Sequence, residues 1–232
     1  MDRVAAMPVV QEYKAHMRSL FDDVDGLVLD VGCGVGNDVR ELGARAIGLD
    51  PSNTMLGIAR SRGGRFVCGR VEQLPFRARS LGGVQADRVL QHVDDPDGAA
   101  GALVSLIRPG GLVVVADPDQ ATLVIEGPDP DVADIVRRYR AERGVRNGFL
   151  ASRMRDVLRD CGLVELGTAS WTMEHREPAR AFGIAGWSTF LVDEGLFDAD
   201  QAARFDETLR SAGEAGTFSY RVDVVVTWGH ST

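Results

Sequence analysis

A glycine-rich segment is the first part of the sequence with the residue types for ligand chemistry. Gly32, Gly34 and Gly36 stand in VLDVGCGVGND (28–38), between an apolar run and a helical pattern. Because glycine has no Cβ atom, such a loop can turn tightly and a ligand can lie against bare backbone. A tight turn that binds nothing has the same composition. The loop therefore indicates a ligand only in combination with its surroundings.

Asp50 supplies the second part of the pattern. It ends the next apolar run, ARAIGLD (44–50), and a helical segment follows at 53–61, with Ser52 placed to cap it. A carboxylate at the end of such a strand can accept hydrogen bonds from ribose hydroxyls. Together with the glycine loop, Asp50 predicts a nucleoside-binding site.

His92 is the leading candidate for a catalytic base. It follows the apolar run at 81–86, so we expect it near the crevice at the carboxyl ends of parallel strands. Its ordinary pKa suits proton removal near neutrality. A structural histidine that caps the turn before Asp94 and Asp95 is the other interpretation, and both roles stay open.

Other polar residues are weaker candidates. Tyr13, His16 and Arg18 fall on a first amphipathic helix, for which a solvated surface is the simpler interpretation. Lys14, the only lysine, is attributed to genome composition. His175 is expected to be exposed, and His230, three residues from the end, is expected to be disordered. No HExxH motif or Cys/His cluster occurs, so we predict no metal site.

Apolar periodicity predicts an α/β fold. Continuous apolar runs alternate with helical segments, as expected of buried parallel strands joined by right-handed crossovers. We predict a doubly wound, Rossmann-like sheet of seven strands, mostly parallel, with an antiparallel last strand. The predicted strands are 26–31, 44–50, 65–69, 81–86, 112–117, 163–173 and 217–228, and the predicted helices are 37–42, 53–61, 96–107, 131–143, 151–161, 178–191 and 198–212.

The pattern of elements also predicts the domain organisation. No linker composition interrupts the chain, so we predict one domain over 1–232, with an N-terminal helical cap at 1–23. Helical insertions at 119–148 and 178–213 are predicted to act as substrate lids. The second insertion is rich in large apolar side chains, which favours an apolar or aromatic small-molecule substrate. These side chains are Phe182, Ile184, Trp187, Phe190, Leu191 and Phe197.

In combination and in order, five segments resemble the class I S-adenosylmethionine-dependent methyltransferases. The resemblance covers about residues 24–120 and is nearest to the small-molecule group that includes the ubiquinone/menaquinone-type C-methyltransferases. It implies S-adenosylmethionine as cofactor and methyl transfer to an O, N or C atom. The segments are LDVGCGVGN (29–37), GLDPSNTML (48–56), GRVEQLPF (69–76), ADRVLQHVDDP (86–96) and RPGGLVVVADPD (108–119).

The resemblance implies a role for each matching residue. The acidic residue and glycine backbone of the first segment would hold the methionine part, and the carboxylate of the second would bind the ribose. The second and third segments would enclose adenine, and residues 86–88 would lie near the sulfonium. The implied cofactor residues are Asp30, Gly32, Cys33, Gly34, Gly36, Asp50, Pro51, Met55, Arg70, Val71, Glu72, Ala86 and Arg88.

Two positions depart from the family pattern. Relatives usually carry an acidic residue in place of Arg70, where it accepts from the adenine amino group, and arginine cannot accept a hydrogen bond. Glu72 is then a substitute acceptor, or Val71 holds adenine alone. Relatives usually carry Asp in place of Gly82.

Three alternatives to methyl transfer stay open. The first is a methyltransferase-fold cyclase, or another non-methylating enzyme that keeps the cofactor as scaffold, because fold does not fix function. The second is a nicotinamide dehydrogenase, against which the GxGxG spacing and the final strand argue. The third is a non-catalytic binding subunit.

Composition limits partners and compartment. The 232 residues carry a net charge of −8, which makes nucleic acid a poor default partner. No window of about 18 uncharged apolar residues occurs, so no membrane span is predicted. Cys33, Cys68 and Cys161 are few and widely spaced, which favours a reducing cytoplasm. We expect a small-molecule substrate and leave a homodimer open.

Overall fold

The computed structural model describes residues 2–182 and 184–232 of the chain. Within them lie seven β-strands and nine α-helices. The strands are β1 (Val28–Val31), β2 (Ala46–Asp50), β3 (Phe66–Cys68), β4 (Leu81–Asp87), β5 (Ile107–Glu126), β6 (Val164–His175) and β7 (Ser219–His230). The helices are α1 (Asp2–Ala5), α2 (Pro8–Ser19), α3 (Asn37–Leu42), α4 (Asn53–Ser61), α5 (Pro96–Leu106), α6 (Pro130–Tyr139), α7 (Leu150–Asp160), α8 (Trp187–Asp193) and α9 (Ala199–Ala215).

The strands form a single sheet in the order β3-β2-β1-β4-β5-β7-β6. The pairs from β3 to β5 are parallel, with Val28 of β1 opposite Ala46 of β2 and Gly83 of β4. The reversal from β1 to β4 places the carboxyl ends of these two strands beside each other, the position at which α/β sheets bind ligands.

Strand β7 runs antiparallel to β5. The Gly110 N–H near the start of β5 donates to the Ser231 carbonyl, and the Asp223 N–H near the start of β7 donates to Thr122 Oγ1. Later residues of one strand thus meet earlier residues of the other. The predicted seven-stranded, mostly parallel sheet with an antiparallel end is confirmed.

The helix starts follow from local capping. The Ser52 side chain accepts from the Met55 N–H at the start of α4, and Asp95 accepts from the Gly98 N–H at the start of α5. Both caps satisfy N–H groups that a helix leaves without partners. The predicted start of each of these helices is confirmed.

Two predicted elements differ from the structure. In place of one helix over 178–191, the chain forms 3-10 turns at Pro178–Arg180 and Ile184–Gly186 before α8 begins. Phe182 has a φ of 48°, and a left-handed residue ends a helix. The strand predicted over 112–117 begins earlier, at Ile107, so that RPGG lies inside β5, where Gly110 (φ 74°) accompanies a shift in register against β4.

The chain divides into two compact units. The first contains 1–118, 150–171 and 224–232, and the second contains 119–149 and 172–223. The core of the first unit consists of aliphatic side chains of the sheet and of α5 and α7, such as Leu29, Val84 and Leu103. The second unit buries Leu191, Phe205 and other apolar residues of its helices. In the described part of the chain, no helix combines the length and apolarity needed to cross a bilayer.

Candidate functional site

The glycine loop joins the end of β1 to α3. Gly32, Gly34 and Gly36 have φ angles of 69°, 52° and 73°, which L side chains rarely adopt. A Cβ at Gly32 would lie 2.4 Å from the Val89 side chain, and one at Gly36 would lie 2.5 Å from the Phe66 ring. A Cβ at Gly34 would meet nothing within 4 Å. The middle of the loop therefore presents open backbone, whereas its two ends need glycine for packing.

Asp50 ties the loop to the end of β2. Its Oδ2 accepts from the Gly34 N–H at 2.8 Å, and its Oδ1 accepts from the Ser52 N–H at 2.8 Å. Each carboxylate oxygen has two lone pairs, so both can accept a further bond. Beside them, the Cys33 thiol packs against β2, because a Cβ at Gly48 would lie 2.6 Å from its Sγ.

A first cavity of about 400 Å³ opens beside the loop. All of its lining residues belong to the first unit, and they come from the loop, α1, α2, α3 and the end of β4. They are Val4, Ala5, Lys14, Asp30, Gly32, Cys33, Gly34, Val35, Asn37, Asp38, Asp87, Arg88, Gln91 and His92.

Helix α2 places a cation between two carboxylates of this cavity. Lys14 Nζ lies 2.9 Å from Asp87 Oδ2 and also pairs with Asp38, and all three side chains are at most 12% exposed. Burial would lower the pKa of Lys14, but Asp87 and Asp38 outweigh it and raise that pKa. The Tyr13 hydroxyl, fully buried, donates to Asp87 Oδ1 at 3.1 Å. Lys14 therefore stays charged between these two carboxylates.

Asp30 is the least solvated acid of the first cavity. It is 3% exposed, and its Oδ1 accepts from Gln85 Nε2 at 3.0 Å. Its Oδ2 is buried without a hydrogen-bond partner. Burial and the neighbouring Asp38 carboxylate raise the pKa of Asp30 to about 8. A bound cation at this place would supply the missing partner and lower that pKa.

A second cavity, of about 270 Å³, adjoins the ends of β2 and β4. It combines the Asp50 carboxylate with apolar walls from Leu49, Pro51 and Val71. Gly32, Arg88 and His92 line both cavities, so the two meet at these residues. The full lining is Val31, Gly32, Leu49, Asp50, Pro51, Gly69, Arg70, Val71, Glu72, Arg88, Val89, His92 and Val93.

Most of the predicted cofactor residues come together around the two cavities. Gly36, Met55 and Ala86 line neither cavity. Ala86 is fully buried in the sheet, and Gly36 faces Phe66. The other ten predicted residues line one cavity or both, and so does His92.

The two departures from the family pattern have different surroundings. Arg70 forms an exposed ion pair with Glu72, with Nε and Oε2 3.3 Å apart, at the rim of the second cavity. Gly82 lies at the other end of β4 and lines neither cavity. A Cβ at Gly82 would lie 1.8 Å from the Asp25 carbonyl oxygen, so the close approach of that loop requires glycine.

The role of Lys14 was not predicted from the sequence, and two histidines have surroundings that differ from those predicted. The partners of Lys14 are brought to it only by the fold, so composition gave no signal. His175, expected to be exposed, is 8% exposed and packs edge-on against the Phe182 ring at 4.9 Å. His230, expected to be disordered, is the last residue of β7.

The second unit contains a separate cluster of rings. Tyr139 contacts Trp187 and Phe190 edge-on, with centroid distances of 6.0 and 5.4 Å. The Arg140 guanidinium lies 5.4 Å from the centre of the Trp187 ring, within range of a cation–π contact. Phe190 is 42% exposed. These residues, here called the aromatic cluster, present apolar surface on α8 and the end of α6.

Among the described residues, no group of three or more His, Cys, Asp or Glu could hold a metal ion. The geometry instead offers a neutral polar loop, a ribose-type acceptor and an apolar slot in one unit. That set of groups suits a ligand with a charged end and a nucleoside end.

Part of the chain is similar to methyltransferases. Residues 29–115 match the family described as "Methyltransferase domain". The chain is 31% identical over 198 residues to an uncharacterized 37.1 kDa protein in transposon TN4556 of Streptomyces fradiae, covering 80% of this chain and 57% of that protein. It is 30% identical over 173 residues to the O-methyltransferase cnsE of Penicillium expansum, covering 69% and 60%.

The fold also matches a solved structure over nearly its whole length. The YcgJ protein of Bacillus subtilis aligns with a TM-score of 0.64 at 19% identity, covering 95% of this chain and 98% of that one. At that identity the match shows the fold alone. The chain spans less than two thirds of the length of the two curated relatives above.

Proposed function

We propose that the chain is a class I S-adenosylmethionine-dependent methyltransferase, and that it moves a methyl group from this cofactor to an O, N or C atom of an apolar or aromatic small molecule. The observation that carries the proposal is the pair of adjoining cavities, one charged and one largely apolar, that meet at Gly32, Arg88 and His92. S-adenosylmethionine has the same division, with an amino-acid end and an adenosine end joined at sulfur.

The first cavity suits the methionine end. The open backbone at Gly34 accommodates an extended chain, and Asp30 offers a buried oxygen without a partner to an ammonium group. An ammonium there would be paired with a carboxylate out of water, where such hydrogen bonds are strongest. Lys14 holds Asp38 and Asp87 in place around the same space.

The second cavity suits the adenosine end. Asp50 has lone pairs for the two ribose hydroxyls, and its bond to the Gly34 N–H keeps it facing the loop. Pro51 and Val71 would flank adenine, with the Val71 N–H directed at a ring nitrogen. Glu72 stands beside Arg70 as the acceptor for the adenine amino group.

The junction of the cavities is where we place the transfer. When bound, the cofactor supplies an electrophilic methyl group on sulfur, and its leaving group is a neutral thioether. The chain's own part is then to align the acceptor, exclude water and, for a protonated acceptor, take up a proton. His92 lines both cavities and is the candidate base.

We propose that the aromatic cluster of the second unit binds an apolar or aromatic small molecule. Trp187 and Phe190 offer ring faces and edges, and Phe190 is exposed as an anchor in a binding surface would be. The proposal extends to the compartment. The three cysteines are unpaired, as in a reducing cytoplasm, and the net charge of −8 disfavours a nucleic-acid substrate.

Calorimetry tests the cofactor part directly. We expect S-adenosylmethionine and S-adenosylhomocysteine to bind and NAD not to bind. Asp50→Ala should weaken both ligands by about one to two orders of magnitude, because hydrogen bonds to a charged acceptor contribute about 1.5–3 kcal/mol. Asp198→Ala, which removes a helix cap in the second unit, is the control for general destabilisation. Equal affinity in wild type and Asp50→Ala would contradict the ribose role of Asp50.

Turnover tests the reaction itself. Release of S-adenosylhomocysteine in the presence of an acceptor, with a mass gain of one methyl group on that acceptor, is the expected result. A changed acceptor without S-adenosylhomocysteine would instead identify a non-methylating enzyme that keeps the cofactor as scaffold.

A further inference from the structure

Arg88 follows β4 at the point where the two cavities meet. From its position and charge we propose that Arg88 binds the acceptor and not the cofactor, and that the acceptor is an acidic hydroxyl compound bound as its oxyanion, such as a phenol, an enol or a carboxylic acid. This inference rests on the proposed function and names the substrate class of that site.

The backbone holds Arg88 in an unusual conformation. Its φ is 57°, in the left-handed region that non-glycine residues avoid, and its N–H donates to the Ala116 carbonyl at 2.6 Å. Strained backbone conformations of this kind cluster at functional sites. This conformation directs the side chain to the junction, where Arg88 lines both cavities.

The guanidinium is the surplus cation of this region. Its NH2 group lies 3.3 Å from Asp87 Oδ2, but Asp87 already accepts from Lys14 and from Tyr13. Arg18 in turn pairs with Asp38 at 3.3 Å. Three cations therefore face the two carboxylates of Asp38 and Asp87. The other two buried acids of this region, Asp30 and Asp117, both have a raised pKa because of burial. In addition, Arg88 Nε is buried without a hydrogen-bond partner.

A sulfonium cannot be the partner of this surplus charge. Sulfur joins the two ends of the cofactor, so it belongs at the junction of the two cavities, beside Arg88. Two cations there repel each other, and the repulsion is stronger in a partly dehydrated site than in water. An amine acceptor would gain nothing from Arg88. An anionic oxygen would pair with the guanidinium and lie next to the electrophilic carbon.

The charges and atoms of the step then balance. A lone pair of the oxyanion forms the new C–O bond while the S–CH₃ bond breaks, and the electron pair of that bond remains on sulfur. The negative charge of the acceptor and the positive charge of the sulfonium disappear together. The acceptor proton has already left to solvent, so for such an acceptor no base acts in the transfer step, and the base role proposed above for His92 applies only to a protonated acceptor.

The first experiment measures oxyanion binding without turnover. We use 4-nitrophenol, whose phenolate is coloured and whose phenol is not, with the wild-type protein saturated with S-adenosylhomocysteine. The bound probe should have its pKa lowered by about one unit or more, since a cation at close range shifts an acid by that amount. Arg88→Met should abolish the shift and Arg88→Lys should retain part of it. Arg159→Met, at an exposed ion pair on α7, is the matched control.

The second experiment measures the cofactor alone. Because Arg88 repels the sulfonium and not the thioether, Arg88→Met should raise the affinity for S-adenosylmethionine relative to S-adenosylhomocysteine by about tenfold. This ratio needs no acceptor and compares two ligands of one protein, so a change in overall stability cancels.

The outcomes distinguish a failure of the oxyanion site at Arg88 from a failure of the proposed function. The oxyanion site is contradicted if the pKa of 4-nitrophenol is unchanged in the presence of the wild-type protein. It is also contradicted if Arg88→Met lowers that pKa as much as wild type does. A cofactor ratio that Arg88→Met leaves unchanged also contradicts it. Failure of both cofactor forms to bind would contradict the proposed function instead.

Discussion

The ligand site of the first unit and the interior of the second unit bury different kinds of side chain. Around the glycine loop, the first unit keeps Asp30, Asp38 and Asp50 less than a tenth exposed. The second unit fills its interior with residues such as Phe197 and Phe205, whose rings lie 5.8 Å apart. Burying a carboxylate is unfavourable unless it is paired, whereas burying a ring is favourable by itself. Ligand chemistry therefore explains the buried carboxylates around the glycine loop of the first unit, and packing explains the buried rings of the second unit.

The largest expected effect tests the charged interior. Lys14→Met should lower the free energy of unfolding by about 3 kcal/mol, because it leaves Asp38 and Asp87 buried with too few partners. Urea unfolding measures this loss. Arg159→Met removes an arginine from an exposed pair and should change stability by less than about 1 kcal/mol. If Lys14→Met is as mild as its control, buried charge does not stabilise the first unit.

The second prediction divides the aromatic cluster from the core beneath it. Leu191→Ala, at a fully buried position of α8, should cost about 2–5 kcal/mol of stability. Phe190→Ala, at the exposed neighbour, should cost much less but should raise KM or lower kcat for the acceptor. Trp187→Ala should resemble Phe190→Ala. Thermal melts and S-adenosylhomocysteine titrations separate the cases, and affinity should stay within about threefold in all three variants.

Should Phe190→Ala and Trp187→Ala be stable and leave acceptor kinetics unchanged, the cluster would have no part in substrate binding. The second unit would then contribute packing alone, which would strengthen its contrast with the ligand site of the first unit. Loss of stability in Phe190→Ala equal to that in Leu191→Ala would contradict the exposure on which the prediction rests.

The third prediction concerns pH. The pKa of Asp30 is raised from 3.8 to about 8 in the folded protein, so its contribution to stability is full below the unfolded pKa and is lost as pH rises through the folded one. Without cofactor, wild type should lose stability between about pH 4 and pH 8 relative to Asp30→Asn, which has no such titration. Urea unfolding of both proteins across this range measures the difference. Parallel pH curves would show that Asp30 is already ionised.

The smallest effect is expected at the rim of the second cavity. Arg70→Asp should raise cofactor affinity by up to about fivefold, because the carboxylate can accept from the adenine amino group. Arg70→Ala, which only breaks the exposed pair with Glu72, should leave affinity nearly unchanged. A loss of affinity in Arg70→Asp would assign Arg70 to holding Glu72.

Local signals were sufficient to predict most of the first unit. Ser52 and Asp95 begin their helices as expected. The apolar runs of β1, β2 and β4 became strands that are almost fully buried in the parallel part of the sheet. The Gly loop and Asp50 were recognisable since the chain geometry around them demands those residue types.

Long-range pairing was beyond local signals. Lys14 reads as one polar residue of an amphipathic helix, and only the fold brings Asp38 and Asp87 to it. The segment 178–191 has helical apolar spacing, yet the left-handed Phe182 and the 3-10 turns interrupt it. His175 gave no sign of burial because its cover, Phe182 and Tyr220, comes from other parts of the second unit.

The half-buried Cys33 thiol of the glycine loop makes ligand binding at the loop measurable by chemical labelling. Burial raises its pKa, so it reacts with alkylating reagents more slowly than an exposed cysteine. Cys68, at the end of β3, is such an exposed cysteine. The ratio of the two labelling rates therefore measures the reactivity of Cys33 against a reference within the same chain. A ligand that bridges the loop and Asp50 should slow the alkylation of Cys33 and leave the alkylation rate of Cys68 unchanged.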